Sequence, residues 1–427
     1  MRASAEKSLS FSNKRKDTIM EPLAKVGTSI LSAVSAFDKG SLKVSSTSVT
    51  TRDGVVFEES LNQDGTYSRK LLHKNKKDMK YLEATNDKQQ FEKSQPRIDV
   101  TPSPRFDIHD PQMLAHLQEF GYVVVRNVVD EDQIQVATDL VWQFLELSAG
   151  WKREDSSTWT TESFVKIGMP QTGIINGAGV GQSKAQWYIR CLPTVQAVFQ
   201  KVWSSHMENS YRDNHAAVSL LTSFDGINVY RPWCDNAEWK TVGGWTHVDQ
   251  GRSKHGFHCI QGLVSLTNST PETGGLVVMP GTHEHHSAFI NSHATNEFDF
   301  ARIPRDSPSL PKEMRNCLRL VTASAGDLIL WDSRTIHANT PAISEAAEEK
   351  SRPDELLRIV SYICMTPSIF ASNKVLEQRN EAYRRNITTS HWPHHAPDLS
   401  NGCNQSSLDT VKVAPTDEIK KLIGCST

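Results

Sequence analysis

The second half of the chain is cut into short apolar runs, each closed by turn residues. Ile260-Gln261-Gly262-Leu263-Val264-Ser265-Leu266 ends at the turn-rich Thr270-Pro271-Glu272-Thr273-Gly274-Gly275, and Leu276-Val277-Val278-Met279 breaks at Pro280-Gly281. Asp327-Leu328-Ile329-Leu330-Trp331 follows, and then a run from Arg358 to Met365. Runs of this length bounded by Gly and Pro read as strands. A succession of them joined by turns predicts an antiparallel sandwich or jelly roll, with side chains offered from strand ends and neighbouring loops.

Two motifs sit in this frame. Trp245-Thr246-His247-Val248-Asp249-Gln250 places a histidine and a carboxylate two residues apart, so on an extended segment both point to the same side. Much later comes Trp331-Asp332-Ser333-Arg334-Thr335-Ile336-His337. A distant second histidine can complete a three-point clamp on one face of a metal, which leaves open positions for reactants. A bare His-x-Asp carries little weight, because such strings arise by chance and most are simply solvated.

The string Gly274-Gly275-Leu276-Val277-Val278-Met279-Pro280-Gly281-Thr282-His283, lying between those motifs, resembles the phytanoyl-CoA dioxygenase family of Fe(II)/2-oxoglutarate oxygenases. The likeness includes Trp187-Tyr188-Ile189-Arg190 with Pro193, Val195 and Phe199. It continues through Ser223-Phe224-Asp225-Gly226-Ile227-Asn228, Arg231-Pro232 and Thr388-Thr389-Ser390-His391-Trp392-Pro393, and so covers most of the chain from about residue 105. The resemblance implies a mainly β fold with flanking helices, a double-stranded β-helix of the cupin-like jelly-roll type. It implies that His247, Asp249 and His337 hold Fe(II), with 2-oxoglutarate and O2 as cosubstrates.

The far carboxylate of 2-oxoglutarate needs a cation, which in this family is an arginine on the strand after the second histidine. Arg358 opens that strand, and a planar guanidinium suits bidentate carboxylate binding. Arg334 and Arg352 are its competitors, because the acidic stretch Ser344-Glu345-Ala346-Ala347-Glu348-Glu349-Lys350 lengthens the connection from His337. Asn339, Gln261 and Asn228 are further candidates for cosubstrate contacts, against the ordinary alternative that each satisfies nearby backbone. On the substrate side the candidates are Arg190, Trp245, Gln250, Arg252 and Trp331, with Lys254 near them. Aromatic surface mixed with positive charge suits an apolar substrate that bears a carboxylate.

The expected reaction is oxidation of an unactivated C–H bond of a small-molecule metabolite, by hydroxylation or by desaturation or oxidative cyclisation, with release of succinate and CO2. Asp249 argues against halogenation, since halogenating relatives lack that carboxylate. The alternatives are a catalytically silent metabolite- or partner-binding relative and an acyl-CoA 2-hydroxylase; a cupin-like enzyme without 2-oxoglutarate would leave Arg358 unexplained.

Two other histidine groups, His283, His285 and His286, and His391, His394 and His395, lack the cysteines or carboxylates expected of structural zinc. One or two of these rings are expected at the mouth of the active site. The seven cysteines form no Cys-x-x-Cys pair, and their scatter favours reduced thiols in an intracellular, cytoplasmic setting. A net charge of -2 gives no reason to expect nucleic acid or an anionic membrane as partner, and no apolar run approaches a membrane span.

Residues 1–104 are expected to be an extension, partly disordered or peripheral, ahead of a dioxygenase domain at 105–427. The extension is rich in Ser, Lys, Asn and Asp with poor apolar periodicity, apart from an amphipathic helix predicted between Ile19 and Phe37. Organelle targeting by this extension stays open, although Glu6, Asp17 and Glu21 sit badly with acid-poor signals. Near the domain start, Asp110 and Pro111 open a helix that Gly121 stops. Tyr122 to Val125 follows as a strand, and Asp130 with Gln133 forms a capping box for a second helix.

Overall fold

The computed structural model describes residues 46–52, 55–61, 67–74, 98–210, 218–234, 236–295, 299–344, 355–399 and 413–425. The chain divides into two compact units, 1–95 and 96–427. In the first unit, Ser46–Arg52, Val55–Leu61 and Tyr67–Lys74 pair as an antiparallel three-stranded meander. Thr and Val are frequent in the first of these strands, and such residues favour an extended chain even where apolar periodicity is poor. The helix predicted between Ile19 and Phe37 lies outside the described residues.

The second unit is built on two facing sheets. The larger has eight strands in the spatial order Arg105–Phe106, Tyr122–Val125, Leu328–Asp332, Ile260–Ser265, Arg358–Tyr362, Ile227–Tyr230, Ile174–Ile175 and Gly168–Met169. The smaller has five: Ala301–Arg302, His247–Val248, His337–Thr340, Gly275–Val278 and Arg319–Leu320. From His247 onward the chain passes back and forth between them, which is the winding of a double-stranded β-helix. Among the described strands the pairings are antiparallel except for Arg105–Phe106 beside Tyr122–Val125, and an isolated parallel bridge joins Asp99 to Arg319.

Alternation along each strand explains the near-continuous apolar runs. Tyr122, Val124, Leu263, Ile329, Trp331 and Val360 face inward and meet Leu276 and Val278 of the smaller sheet. Their neighbours Val123, Val125, Val264, Leu328, Leu330 and Ile359 face outward beneath a helical layer that supplies Met113, Val141, Phe144, Trp187, Phe199 and Trp203. Outside the smaller sheet, Val277, Ala338 and Leu320 pack on Phe289, Ile290 and Ile303. Strands buried on both faces lose the polar alternation of a half-exposed sheet.

The helices follow their caps. Gln112–Phe120 begins with Pro111 at its N-cap, and Asp110 Oδ1 accepts from the Gln112 N–H at 2.8 Å. Gly121, at φ 73°, ends it in the left-handed conformation that glycine adopts without a Cβ penalty. Glu131–Ala149 carries the full capping box between Asp130 and Gln133. No helix among the described residues is long and apolar enough to cross a membrane.

Two boundaries differ from expectation. Ordered pairing starts before residue 105, because the Asp99 N–H donates to the Leu318 carbonyl at 2.8 Å and its side chain pairs with Arg319. The run from Arg358 to Met365 is two strands, not one. It leaves the large sheet after Tyr362, and Met365–Pro367 pairs instead with Leu220–Thr222. The Ser223 hydroxyl accepts from the Cys364 N–H at 3.0 Å, which redirects the backbone at the break.

The C-terminal segment is fastened onto this framework. Buried Arg379 donates to the carbonyls of Thr222, Pro393, Leu422 and Ile423. His394 is buried with Nδ1 3.1 Å from Thr366 Oγ1, and His395 stacks on Trp392 at 4.4 Å. Burial, with the nearby His395, His258 and Lys254, pushes His394 down to about 3; burial and Lys254 push His395 down to about 4. An unfolded chain takes up protons on these rings near pH 6.5 while the folded one does not. Stability is therefore intact above that pH and falls as pH drops from about 6.5 toward 4, by about 1.4 kcal/mol per pH unit for His394 alone. Denaturant unfolding at pH 7.5 and 5.0 is expected to show this loss, and His394→Gln to flatten it. An unchanged slope in that variant would assign the acid sensitivity to other groups.

Candidate metal centre and its cavity

His247 and His337 stand directly opposite each other in the register of neighbouring strands, with ring centroids 4.2 Å apart. Asp249, two residues on from His247, projects to the same side. His247 Nδ1 lies 3.1 Å from the Trp245 carbonyl and His337 Nδ1 lies 2.9 Å from the Thr335 carbonyl. A carbonyl accepts only, so each ring donates from Nδ1 and turns its Nε2 toward Asp249. Those Nε2 atoms lie 3.5 and 3.2 Å from the two Asp249 carboxylate oxygens. All the ligand atoms fall within 4.8 Å of one another. A metal bound at about 2.1 Å to each needs ligand separations of about 3 Å, so the site fits a first-row divalent ion with small adjustment.

The electrostatics agree with that donor set. Burial alone would raise the Asp249 carboxyl, but the His247 and His391 imidazoles and hydrogen bonds from His247 and His337 outweigh it and hold it well below the usual carboxylate range. Burial, reinforced by His337, lowers His247. The result is a charged carboxylate facing two imidazoles, and a metal binding there takes the place of any proton held between them. Gln261 Nε2 donates to Asp249 Oδ2 at 3.0 Å and fixes the carboxylate from behind.

The triad opens into a cavity of about 400 Å³ between the sheets. Trp245, Phe300 and Trp331 give it aromatic walls, with Met169, Ile174 and Leu276 adding aliphatic surface. Trp245 stacks on the His247 ring at 4.8 Å and an interplanar angle of 16°, while Phe300 stacks on its other neighbour side at 4.7 Å. Asn339 and Tyr362 also line the cavity, joined by a 3.2 Å hydrogen bond from Asn339 Nδ2 to the phenol oxygen.

Arg358 opens the inner face of its strand, two residues before Val360 and four before Tyr362. Its guanidinium is fully buried and lies over the Tyr230 ring at 5.1 Å. Nη1 donates to Asn228 Oδ1, whereas Nε and Nη2 have no hydrogen-bond partner among the described residues. A buried cation with two idle donors on one edge is shaped for a carboxylate. Of its competitors, Arg334 is held bidentately by Asp332, and Arg352 lies outside the described residues.

The remaining candidates divide cleanly. Trp245, Trp331, Gln261 and Asn339 line the cavity. Asn228 touches Arg358 and donates to the Thr172 carbonyl at 3.0 Å. Arg190, Gln250 and Arg252 do not line it. Arg190 is spent on the Gly181 and Asp225 carbonyls, and Gln250 Nε2 on those of Lys254 and Gly256. Arg252 is exposed and donates to the His293 carbonyl at 2.7 Å. His283 and His286 are likewise engaged by the carbonyls of Gln118 and Gln250.

Of the histidines expected at the mouth, His391 lines the cavity, and Asp225 joins it as a lining residue that the sequence reading did not single out as a site residue. His391 reaches the cavity from the C-terminal segment, its Nε2 buried without a partner. Asp225 reaches it from the loop between Leu220–Thr222 and Ile227–Tyr230. Both lie in stretches that carry the family resemblance, but nothing in their spacing announces that they meet.

The sequence model of the phytanoyl-CoA dioxygenase (PhyH) family matches residues 117–348, which spans every strand that carries the triad. The chain belongs to the phytanoyl-CoA dioxygenase family. This is a family of Fe(II)/2-oxoglutarate-dependent oxygenases, and the double-stranded β-helix is its fold. One relative is the Ava biosynthesis cluster protein O of Aspergillus versicolor, 27% identical over 324 residues that make up 73% of this chain and 96% of that protein. The ectoine dioxygenase of Stutzerimonas stutzeri is 23% identical over 107 residues, 24% of this chain and 35% of its own. Among solved structures, the carbocyclase SnoK from nogalamycin biosynthesis aligns with a TM-score of 0.41 and 15% identity, over 62% of this chain and 87% of that one. In this phytanoyl-CoA dioxygenase family member Arg358 falls beyond the matched residues, so its assignment rests on the geometry above.

Proposed function

We propose that the protein is an Fe(II)/2-oxoglutarate-dependent dioxygenase that oxidises an unactivated C–H bond of a small-molecule metabolite, by hydroxylation or by desaturation or oxidative cyclisation. The observation that carries this reading is the pairing of a two-histidine, one-carboxylate face with a fully buried arginine whose Nε and Nη2 are idle. A silent binding relative has no need to keep both, because the buried guanidinium costs stability unless an anion satisfies it. A role in secondary metabolism is supported by the relative encoded in a biosynthesis cluster.

In this reading His247, Asp249 and His337 hold the metal, and Arg358 holds the far carboxylate of 2-oxoglutarate. Asn228 turns the guanidinium toward the ligand by occupying Nη1. Asn339, tied to Tyr362, and Gln261, tied to Asp249, border the space between. When bound, Fe(II) and 2-oxoglutarate supply the dioxygen activation that oxidises a C–H bond, with succinate and CO2 as coproducts. The protein orients the substrate and keeps water out, and the aromatic walls serve both ends. With Asp249 in place no ligand position is left for a halide, so oxygenation is favoured over halogenation.

Anaerobic titration of the apo-protein with Fe(II) and 2-oxoglutarate tests this directly. A visible charge-transfer band is expected in the wild type and none in His247→Ala. Well-folded wild-type protein that gives no band would remove the oxygenase reading.

A further inference from the structure

Substrate selection falls to the cavity-lining residues that neither the metal nor the cosubstrate uses. We propose that Asp225 is the acceptor for a cationic amine nitrogen on an otherwise apolar substrate, so that the enzyme takes amines and not carboxylic acids. The proposal deepens the oxygenase reading and rests on it for which cavity is the active one.

Asp225 is held from its backbone. Its carbonyl accepts from Gln186 Nε2 at 2.7 Å and from Arg190 Nη2 at 3.0 Å. One carboxylate oxygen takes the Gly226 N–H at 2.7 Å. Asp225 is half-buried and lines the cavity, and among the described residues no cation lies within ion-pair distance of its carboxylate. Arg190, the nearest guanidinium, is turned to the carbonyls of Gly181 and Asp225 itself. Burial, joined by the charge of Asp249, pushes the Asp225 carboxyl up to about 6 against the pull of the Gly226 N–H and Arg190, so its ionised form is costly without a counter-charge. A buried carboxylate is normally paired, and an unpaired one facing a ligand cavity is completed by the ligand.

The rest of the cavity fits such a ligand. Its aromatic surface from Trp245, Phe300 and Trp331 suits an apolar body, and indole faces favour a nearby cation. The arginines that would draw a carboxylate are committed elsewhere: Arg334 to Asp332, Arg252 to the His293 carbonyl, and Arg358 to the cosubstrate side. The polarity is the reverse of the carboxylate-bearing substrate that the sequence suggested.

The test compares two matched probes, 4-phenylbutylamine and 4-phenylbutyrate, binding to the full-length protein by calorimetry at pH 7.5. It is run without metal or cosubstrate, and again with Fe(II) and 2-oxoglutarate under argon. With Fe(II) and 2-oxoglutarate bound, so that Asp249 and Arg358 are occupied, the amine is expected to bind about ten- to a hundredfold more tightly than the acid and Asp225→Asn to bring the ratio close to one; without them Asp225→Asn is still expected to weaken the amine about tenfold. Equal affinities, a preference for the acid, absence of saturable amine binding, or an unchanged preference in Asp225→Asn would each overturn the proposal. The wild-type comparison stands even if the variant misfolds. The metal-free arm compares the wild type with Asp225→Asn, which leaves Asp249 unchanged, so its outcome is separate from that of the charge-transfer titration.

Discussion

Arg358→Met is expected to abolish saturable 2-oxoglutarate binding while leaving the ligand-free protein more stable than the wild type, by about 1–3 kcal/mol. The two effects have one cause. The guanidinium is wholly buried, and Nε and Nη2 lack partners. Each unsatisfied buried donor costs about 1–3 kcal/mol, and a methionine of similar reach removes both while filling most of the space. The change also strips Asn228 Oδ1 of its donor, which offsets part of the gain, although Asn228 Nδ2 keeps the Thr172 carbonyl. For the cosubstrate, the loss is a charge-assisted pair of hydrogen bonds, each of about 1.5–3 kcal/mol, or roughly a hundred- to ten-thousandfold in affinity. Denaturant unfolding without ligand measures the first effect. The shift in melting temperature with added 2-oxoglutarate measures the second, since a ligand at a hundred times its Kd adds about 2.7 kcal/mol to the wild type and nothing to the variant. A variant that is destabilised and still shifted by 2-oxoglutarate would make Arg358 a structural residue and put the cosubstrate elsewhere.

Much of the framework was legible because strand burial leaves a strong trace in sequence. The runs at Ile260, Leu276 and Leu328 are apolar on both faces, since helices or a second apolar layer cover the outside of each sheet. The metal triad was legible because His247 and Asp249 lie two apart at the end of one short strand and His337 begins another. What the sequence hides is which partner takes up a polar group. Arg190, Gln250 and Arg252 look available as residue types, yet backbone carbonyls consume all three. The run through Met365 looks like one strand, but a single hydroxyl, that of Ser223, captures the Cys364 N–H and sends the chain to a different partner. Asp225 and His391 are brought to one cavity by topology, from a loop and from the C-terminal segment, and no local pattern records that meeting.

Asp249→Ala is expected to weaken Fe(II) binding by at least about a hundredfold while leaving the fold intact, because the carboxylate carries the charge of the site but not its geometry. Each histidine is aimed by its own backbone carbonyl, Trp245 for His247 and Thr335 for His337, and neither contact involves Asp249. Removing the carboxylate therefore leaves both Nε2 atoms where they were, but with two neutral donors in place of a charged set. The anion's Coulomb attraction in a partly desolvated site is worth several kcal/mol, which sets the scale of the loss. The cost to the apo-protein is smaller: Gln261 loses an acceptor, and the carboxylate that the imidazoles held in its charged form is gone. Anaerobic Fe(II) titration of the wild type and the variant, each checked by its unfolding curve, measures the difference. Added formate should restore part of the affinity, because the alanine leaves space beside two correctly aimed imidazoles and the missing element is a small oxygen anion. If Asp249→Ala bound Fe(II) as well as the wild type, the metal would not sit at this triad. If formate failed to restore any affinity to a folded variant, the separation of charge from geometry would be wrong, and Asp249 would have to be aligning the histidines as well as neutralising the ion.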